Sequence, residues 1–234
     1  MTPGAVALLL VLGAFLVALA VLVPIRVRKR QKLEDTAAVL ADFAARNGMR
    51  FGRSEPDLPA RAPSINDIVG DPVVLLDFHL DGTLRDVPFQ AFQVRRPSPR
   101  PRPATIFPEA AVTRTPEYTV VLVPRPVAGP PLRLAPQGLS WATVFRRDVE
   151  VGDPPFDEVF HVSTDAPDFA RLVLRPPLTT WLASDPRAAA AIVVFEPAEL
   201  MAVVPGPLTP DGAMALADLM TDLRHRVPWP SLPS

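Results

Sequence analysis

The stretch Val73-Val74-Leu75-Leu76-Asp77-Phe78-His79-Leu80 decides the fold class, because apolar and polar side chains alternate along its second half. A period of two is typical of a half-buried β-strand. Asp81-Gly82 follows as a turn signal, and the pattern predicts a return strand near Val87 to Val94, where Phe89 and Phe92 supply bulk. This stretch therefore predicts an antiparallel hairpin that belongs to a larger sheet.

Along the rest of the chain, predicted strands come in consecutive groups and do not alternate with helices. Further strands are predicted at Tyr118–Val123, Phe160–Ser163, Ala191–Phe195 and Leu200–Val204, the last two as a hairpin across Glu196-Pro197. Helices with one apolar face are predicted over Leu33–Asn47 and over about Pro210–Arg226, the second capped by Thr209. Residues 53–66 hold three prolines and predict a loop. The order predicts an α+β fold with a mostly antiparallel sheet packed with amphipathic helices, and it argues against a doubly wound nucleotide fold.

The N-terminal run AVALLLVLGAFLVALAVLV, from Ala5 to Val23, contains 19 residues without a charged or strongly polar side chain. As a helix it would extend roughly 28 Å, close to the ~30 Å hydrocarbon core of a bilayer. A cleaved signal peptide is the competing interpretation, because Ala18-Leu19-Ala20 imitates a cleavage site. No Lys or Arg precedes the run, however, and the run continues past that site. We therefore predict an N-terminal transmembrane helix as part of the fold.

A basic flank follows the apolar run directly. It consists of Arg26, Arg28, Lys29, Arg30 and Lys32. Positive charge is retained in the cytoplasm, so the flank predicts a single-pass protein of the cell membrane with its N-terminus outside and its C-terminal domain in the cytoplasm. We expect the five residues to lie at the membrane interface, with the lipid bilayer as a partner. Specific lipid binding by the flank, and an exported domain with the opposite topology, are the alternatives.

These patterns divide the chain into three regions. Residues 1–24 are predicted as the anchor, 25–52 as the basic stop and juxtamembrane helix, and 53–234 as the α+β cytoplasmic domain. A Pro/Arg-rich loop near 95–115 interrupts this domain. Its centre, Pro97 to Pro103, cannot be a central strand or a helix, since alternate residues lack an N–H group. It predicts an extended polyproline II linker, and docking of this segment to an aromatic groove is the alternative.

Charge and cysteine content exclude several function classes. The first 32 residues hold five basic and no acidic residues, so residues 33–234 carry the other 19 basic and all 25 acidic residues, a net charge of −6. An acidic domain of this kind argues against nucleic-acid binding. The chain has no cysteine, which excludes disulfides, thiol catalysis and Cys-based metal sites.

Motifs that would indicate enzymatic chemistry are missing from the sequence. It contains no GxSxG elbow, phosphate-binding GxxxxGK[ST] loop, GxGxxG turn or HExxH helix. The residues with ligand-like spacing are Asp77, His79 and Asp81, which share one face of the first predicted strand. Two carboxylates and an imidazole could hold a divalent ion, whereas the simpler interpretation is the solvated face of a half-buried strand. No cofactor is predicted.

Three segments carry a family resemblance. They are Ala44-Ala45-Arg46-Asn47-Gly48-Met49-Arg50-Phe51, the stretch GDPPFDEVFHV at 152–162, and TDAPDFA at 164–170. Together with the N-terminal apolar run, the apolar hairpin and the C-terminal amphipathic helix, the chain resembles uncharacterised single-pass membrane proteins of high-GC Gram-positive bacteria. The resemblance covers most of residues 25–228. It implies a cytoplasmic domain of unknown function and supplies no catalytic residues.

The sequence therefore predicts a membrane-tethered, non-enzymatic module that acts by binding an unidentified protein partner. The alternative is a ligand- or metal-binding domain, or an enzyme of unfamiliar type, that uses Asp77, His79 and Asp81.

Overall fold

The computed structural model describes residue 27 and residues 30–53, 58–69, 75–95, 116–139 and 149–231. The strands are β1 Arg50–Gly52, β2 Leu75–Leu84, β3 Val87–Arg95, β4 Glu117–Pro124, β5 Leu132–Pro136, β6 Phe160–Ser163, β7 Ile192–Phe195 and β8 Glu199–Pro205. The helices are α1 30–46, α2 Leu58–Arg61, α3 Ser64–Val69, α4 Pro154–Asp157, α5 Pro167–Val173, α6 Leu178–Ser184 and α7 Pro210–Arg226. Two 3₁₀ turns, Ala188–Ala190 and Trp229–Ser231, follow α6 and α7.

The eight strands form one sheet in the order β1-β2-β3-β4-β8-β7-β5-β6, and every neighbouring pair is antiparallel. The predicted α+β class with an antiparallel sheet is thus confirmed. The predicted hairpin at the β7–β8 turn is also present, with Phe195 opposite Leu200.

The first face of the sheet carries the larger core. Helices α1, α5, α6 and α7 pack on it, and their buried residues include Leu40, Phe169, Leu182, Leu216 and Leu223. Helix α7 begins as the sequence predicts, since the Thr209 side chain accepts a hydrogen bond from the Gly212 N–H at 3.1 Å. Each fully buried Leu or Phe on this face contributes about 1.5–3 kcal/mol relative to an exposed one.

The second face of the sheet is covered, within the described residues, by α2 and α3. We call residues 58–69 the strap. Its buried apolar residues are Leu58, Ala62, Ile65, Ile68 and Val69, which cluster with sheet residues that include Phe92, Leu122, Val194 and Met201. The prediction of a loop over 53–66 is wrong for this part of the chain, because contact with the sheet stabilises two short helices there.

The β2–β3 turn lies four residues later than predicted. Strand β2 runs through Asp81 and Gly82, and the chain reverses at Arg85 and Asp86, which have φ angles of 50° and 63°. Positive φ at both central residues is the type I′ geometry that suits a two-residue hairpin, although Gly and Asn adopt it more easily. Gly82 is needed for another reason, since a Cβ there would lie 2.8 Å from the Phe89 ring.

The transmembrane part of the predicted fold class is corrected by the structure. In the portion of the chain that is described, no helix has the length and apolar character needed to cross a membrane. The prediction of a single-pass membrane protein, with its membrane location and topology, is corrected with it. The run from Ala5 to Val23 that prompted this prediction lies outside the described residues, as do residues 96–115 of the Pro/Arg-rich loop.

Candidate functional site

His79 and Asp81 lie on the second face of β2, because Phe78 and Leu80 belong to the core on the first face. The prediction that Asp77 shares this face is wrong, because a β-bulge between Leu76 and Phe78 turns Asp77 toward Gln93 and Arg95 on the other face. The structure therefore does not arrange the three residues as metal ligands. Among the described residues, no three His, Asp or Glu side chains converge closely enough to hold a metal ion.

Each of the two carboxylates is occupied by an arginine and a glutamine. Asp77 pairs with Arg95 and accepts a hydrogen bond from Gln93 at 3.2 Å. Asp81 pairs with Arg50 at 3.0 Å and accepts a hydrogen bond from Gln90 at 2.8 Å. A divalent ion would have to displace both guanidinium groups, so this geometry does not support the metal-binding alternative.

The His79 ring has a packing role between two strands. Its centroid lies 6.3 Å from that of Phe92, and its other side lies against Gly52, where a Cβ would be 2.2 Å from His79 Cε1. Gly52 is thus required by the close approach of the imidazole to the backbone of β1.

The predicted membrane-interface residues are only partly described. Arg30 and Lys32 are exposed on the first turns of α1, whereas Arg26, Arg28 and Lys29 lie outside the described side chains. The role predicted for these five residues stays a prediction.

A first groove, with a volume of about 620 Å³, lies beside the strap over β2 and β3. A continuous polar network runs along it from Arg50 through Asp81, Gln90 and Arg61 to Glu199. Arg61 donates to Glu199 Oε1 through Nη2 at 2.6 Å and Nε at 3.2 Å, and it also hydrogen-bonds Gln90. This network ties the strap to strands β3 and β8.

A second groove, of about 780 Å³, is formed by α3, β5, the end of β6 and the β7–β8 turn. Polar residues supply much of its wall: Ser64, Asp67, Arg133, Thr164, Asp165 and Glu196. Arg133 pairs with Asp67 of the strap at 2.7 Å. The strap therefore contributes a wall to both grooves.

Glu196 connects the second groove to the strap. Its side chain is almost wholly buried, and Oε1 accepts a hydrogen bond from the Ser64 N–H at 3.0 Å. Burial raises the pKa of the Glu196 carboxyl, although hydrogen bonds from the Ser64 side chain and backbone oppose this rise. The carboxylate acts as a cap for the N-terminus of α3, supplied by a distant turn.

Arg125, at the end of β4, is held by the same β7–β8 turn on the other side of the sheet. Its Nη1 donates to the carbonyl oxygens of Glu196 at 2.6 Å, Gly129 at 3.2 Å and Pro130 at 3.3 Å. The guanidinium carbon lies 5.5–5.8 Å from the ring centroids of Phe169, Phe195 and Trp229. Burial lowers the pKa of Arg125.

Apart from Asp81, which lines the first groove, the residues that shape the grooves were not recognised from the sequence as site residues. Glu196 was predicted only as part of a turn, and Arg61, Glu199 and Arg125 were not singled out. The available signal was two glutamates placed between the apolar strands β7 and β8, where a surface turn alone does not require charge. The two grooves present charged and hydrogen-bonding side chains, which suits recognition of a polar surface.

No model of a known protein family matches the chain, and no curated protein matches its sequence significantly. Among solved structures, the fold is similar to the crystal structure of the mycobacterial trehalose monomycolate transport factor A, TtfA. The two chains are 16% identical, the TM-score is 0.51, and the match covers 81% of this chain and 90% of that chain. The predicted resemblance to proteins of high-GC Gram-positive bacteria is confirmed in that the structural neighbour is mycobacterial, while its single-pass part has no support. At this identity, the chain is shown to share the fold of TtfA.

Proposed function

We propose that this protein is a non-enzymatic accessory factor of lipid transport that acts by binding a protein partner through the two grooves beside the strap. The observation that carries the proposal is the fold likeness over 90% of the chain of a protein named as a trehalose monomycolate transport factor. The geometry of the grooves supports the binding part of the proposal.

The lining of the grooves favours a protein surface over an acyl chain as the bound group. An acyl chain requires a deep apolar cavity. The second groove instead presents Asp67, Arg133 and Asp165, and the first presents Arg50, Asp81 and Gln90. Mixed charges and hydrogen-bonding groups of this kind form the polar rim of a protein–protein interface.

Site-specific photo-crosslinking of the full chain in cells tests the proposal. A benzoylphenylalanine would replace Thr83 in the first groove or Asp165 in the second, both of which are exposed lining residues. Matched controls would carry it at Ala215 on α7 and Arg171 on α5, which are exposed elsewhere. We expect the same partner protein to be captured from both groove positions and from neither control position.

Two results would contradict the proposal. Equal capture from groove and control positions would mean that the grooves are not the binding surface. Capture of no protein at Thr83 or Asp165, combined with saturable binding of trehalose monomycolate to the purified chain, would make it a lipid carrier instead.

A further inference from the structure

The strap depends on contact with the sheet for its secondary structure more than the long helix α7 does. Its helices contain four and six residues, and helices this short are not stable without tertiary contacts. If the strap leaves the sheet, it therefore unfolds. By contrast, α7 has 17 residues and packs along the first face.

Four polar contacts fasten the strap. Arg61 hydrogen-bonds Gln90 of β3, and two of the other three contacts end on one turn. Arg61 pairs with Glu199 at 2.6 Å, the Ser64 N–H donates to Glu196 at 3.0 Å, and Asp67 pairs with Arg133. Glu196 and Glu199 close the β7–β8 turn, in which the Glu196 N–H donates to the Glu199 carbonyl at 2.8 Å. Movement of this turn would loosen both contacts together.

The contact between strap and sheet also contains buried oxygens that are poorly satisfied. Glu199 Oε2 and Asn66 Oδ1 are buried and have no hydrogen-bond partner within the described part of the chain. Glu196 keeps a carboxylate in a buried position. A buried polar atom without a partner opposes closure, and it gains water when the contact opens. Opening the strap therefore costs less than the exposed apolar area alone suggests.

We infer that the strap is a releasable cover, latched by Glu196 and Glu199, which opens by local unfolding while the sheet stays folded. Arg61 lines the first groove, and Ser64 and Asp67 line the second. Opening thus removes a wall from both grooves and uncovers apolar sheet residues such as Phe92 and Met201. We expect an apolar part of the same protein partner to bind the uncovered face. Only this identity of the bound group rests on the proposed function; the opening of the strap does not.

Hydrogen exchange of the full chain, followed over a series of low denaturant concentrations, tests this inference. The amides to compare are those of Ala62 and Ser64, which donate to the Leu58 carbonyl and to Glu196, and those of Val120 to Leu122 in the centre of the sheet. We expect strap amides to exchange at least 100-fold faster than β4 amides, with a smaller dependence on denaturant, because local opening exposes less surface than global unfolding.

A matched pair of variants locates the latch. Arg61→Gln removes the pairing with Glu199 and should accelerate strap exchange at least fivefold while β4 exchange is unchanged. Arg85→Gln removes the ion pairs with Asp218 and Asp222 on the first face and should leave strap exchange as it is in the parent protein, because local opening of the strap does not involve these pairs.

The inference is overturned if strap and β4 amides exchange at the same rate with the same denaturant dependence. It is also overturned if Arg61→Gln accelerates both equally. The crosslinking experiment fails independently of this one: an opening strap without a captured partner refutes only the proposed function, and a captured partner on a strap that never opens refutes only this inference.

Discussion

Two charged regions of the molecule neutralise their charges in opposite ways. In the first, which we call the α7 network, Arg85 and Arg187 are shared among three aspartates. Arg187 pairs with Asp185 at 2.6 Å and Asp222 at 2.7 Å, and Arg85 pairs with Asp222 at 2.7 Å. Both arginines also pair with Asp218. The network remains in contact with water.

Pairing dominates the protonation of the α7 network. The side-chain hydrogen bond from Arg187 lowers the pKa of Asp185, against the opposing effect of burial. For Asp222, burial acts to raise the pKa, but hydrogen bonds from Arg187 and Arg85 outweigh it and the pKa is lowered. These carboxylates are therefore held in the charged form.

Burial dominates in the second region, the β7–β8 turn. Arg125 and Glu196 meet there without forming an ion pair, because Arg125 binds the Glu196 carbonyl while the Glu196 carboxylate points to Ser64. Burial raises the pKa of Glu196 and lowers that of Arg125. The comparison teaches that backbone carbonyls and aromatic rings can take the place of a counter-ion for Arg125, while a backbone N–H binds the Glu196 carboxylate.

Replacing Arg125 should produce the largest effect. Arg125→Met removes a charged donor from three carbonyl oxygens, of which that of Glu196 belongs to a buried residue, so we expect the free energy of unfolding to fall by about 3 kcal/mol. Guanidinium denaturation at pH 7 measures the change. The matched control is Arg171→Met on α5, which loses only an exposed pair with Asp168 and should change stability by less than about 0.5 kcal/mol. A loss below about 1 kcal/mol for Arg125→Met would show that relief from burying the charge offsets the lost bonds.

Replacing Arg187 should produce a smaller, pH-dependent effect. Arg187→Gln should cost about 1 kcal/mol at pH 7, a value reduced for contact with water and for the remaining pairing to Arg85. Because the folded pKa values of Asp185 and Asp222 lie below 3.8, this stabilisation is present above pH 3.8 and lost as the pH falls through the folded values.

The stabilities of the parent and Arg187→Gln proteins should therefore become more alike as the pH falls. Unfolding curves of both proteins between pH 2 and 7 would measure the difference. Arg187→Lys keeps the charge but not the planar fork, so it should recover only part of the loss. A difference that persists unchanged at pH 2 would mean that Arg187 acts through packing rather than through charge.

Parts of this fold were predictable because the signal is local. Helix α7 follows from Thr209, from Pro210 in its first turn and from an apolar stripe, and β2 follows from alternation. The β2–β3 turn was misplaced because Arg85 and Asp86 adopt a left-handed conformation without glycine. Pairing of Arg85 with Asp222, 137 residues away, helps to hold that turn, and no local pattern reports such a contact.

The candidate site was largely hidden from the sequence for the same reason. The prolines in and just before the strap predict a loop, and the two short helices of the strap exist only through contact with the sheet. Alternation predicts that Asp77 and Asp81 share a face, but a β-bulge between Leu76 and Phe78 separates them, and the arginines that pair with the two carboxylates come from other strands. Asp77 and Asp81, which the sequence offers as candidate metal ligands, instead form ion pairs that link neighbouring strands.

Replacing Glu196 should produce the smallest effect, with a sign opposite to that of the α7 network. Glu196→Gln keeps an oxygen acceptor for the Ser64 N–H and removes the buried charge. At pH 7 we expect the variant to be as stable as the parent or more stable by less than about 1 kcal/mol. Because the folded pKa of Glu196 is raised above 4.5, its favourable contribution is complete below pH 4.5 and lost as the pH rises through the folded value.

The difference between the Glu196→Gln and parent unfolding free energies isolates this contribution, since the α7 network is common to both proteins. Moving from pH 7 toward 4.5 should stabilise the parent relative to the variant. If the variant is instead less stable at pH 7 by more than about 1 kcal/mol, the charge of Glu196 is required to cap α3. Burial would then not govern the β7–β8 turn, and the contrast with the α7 network would fail.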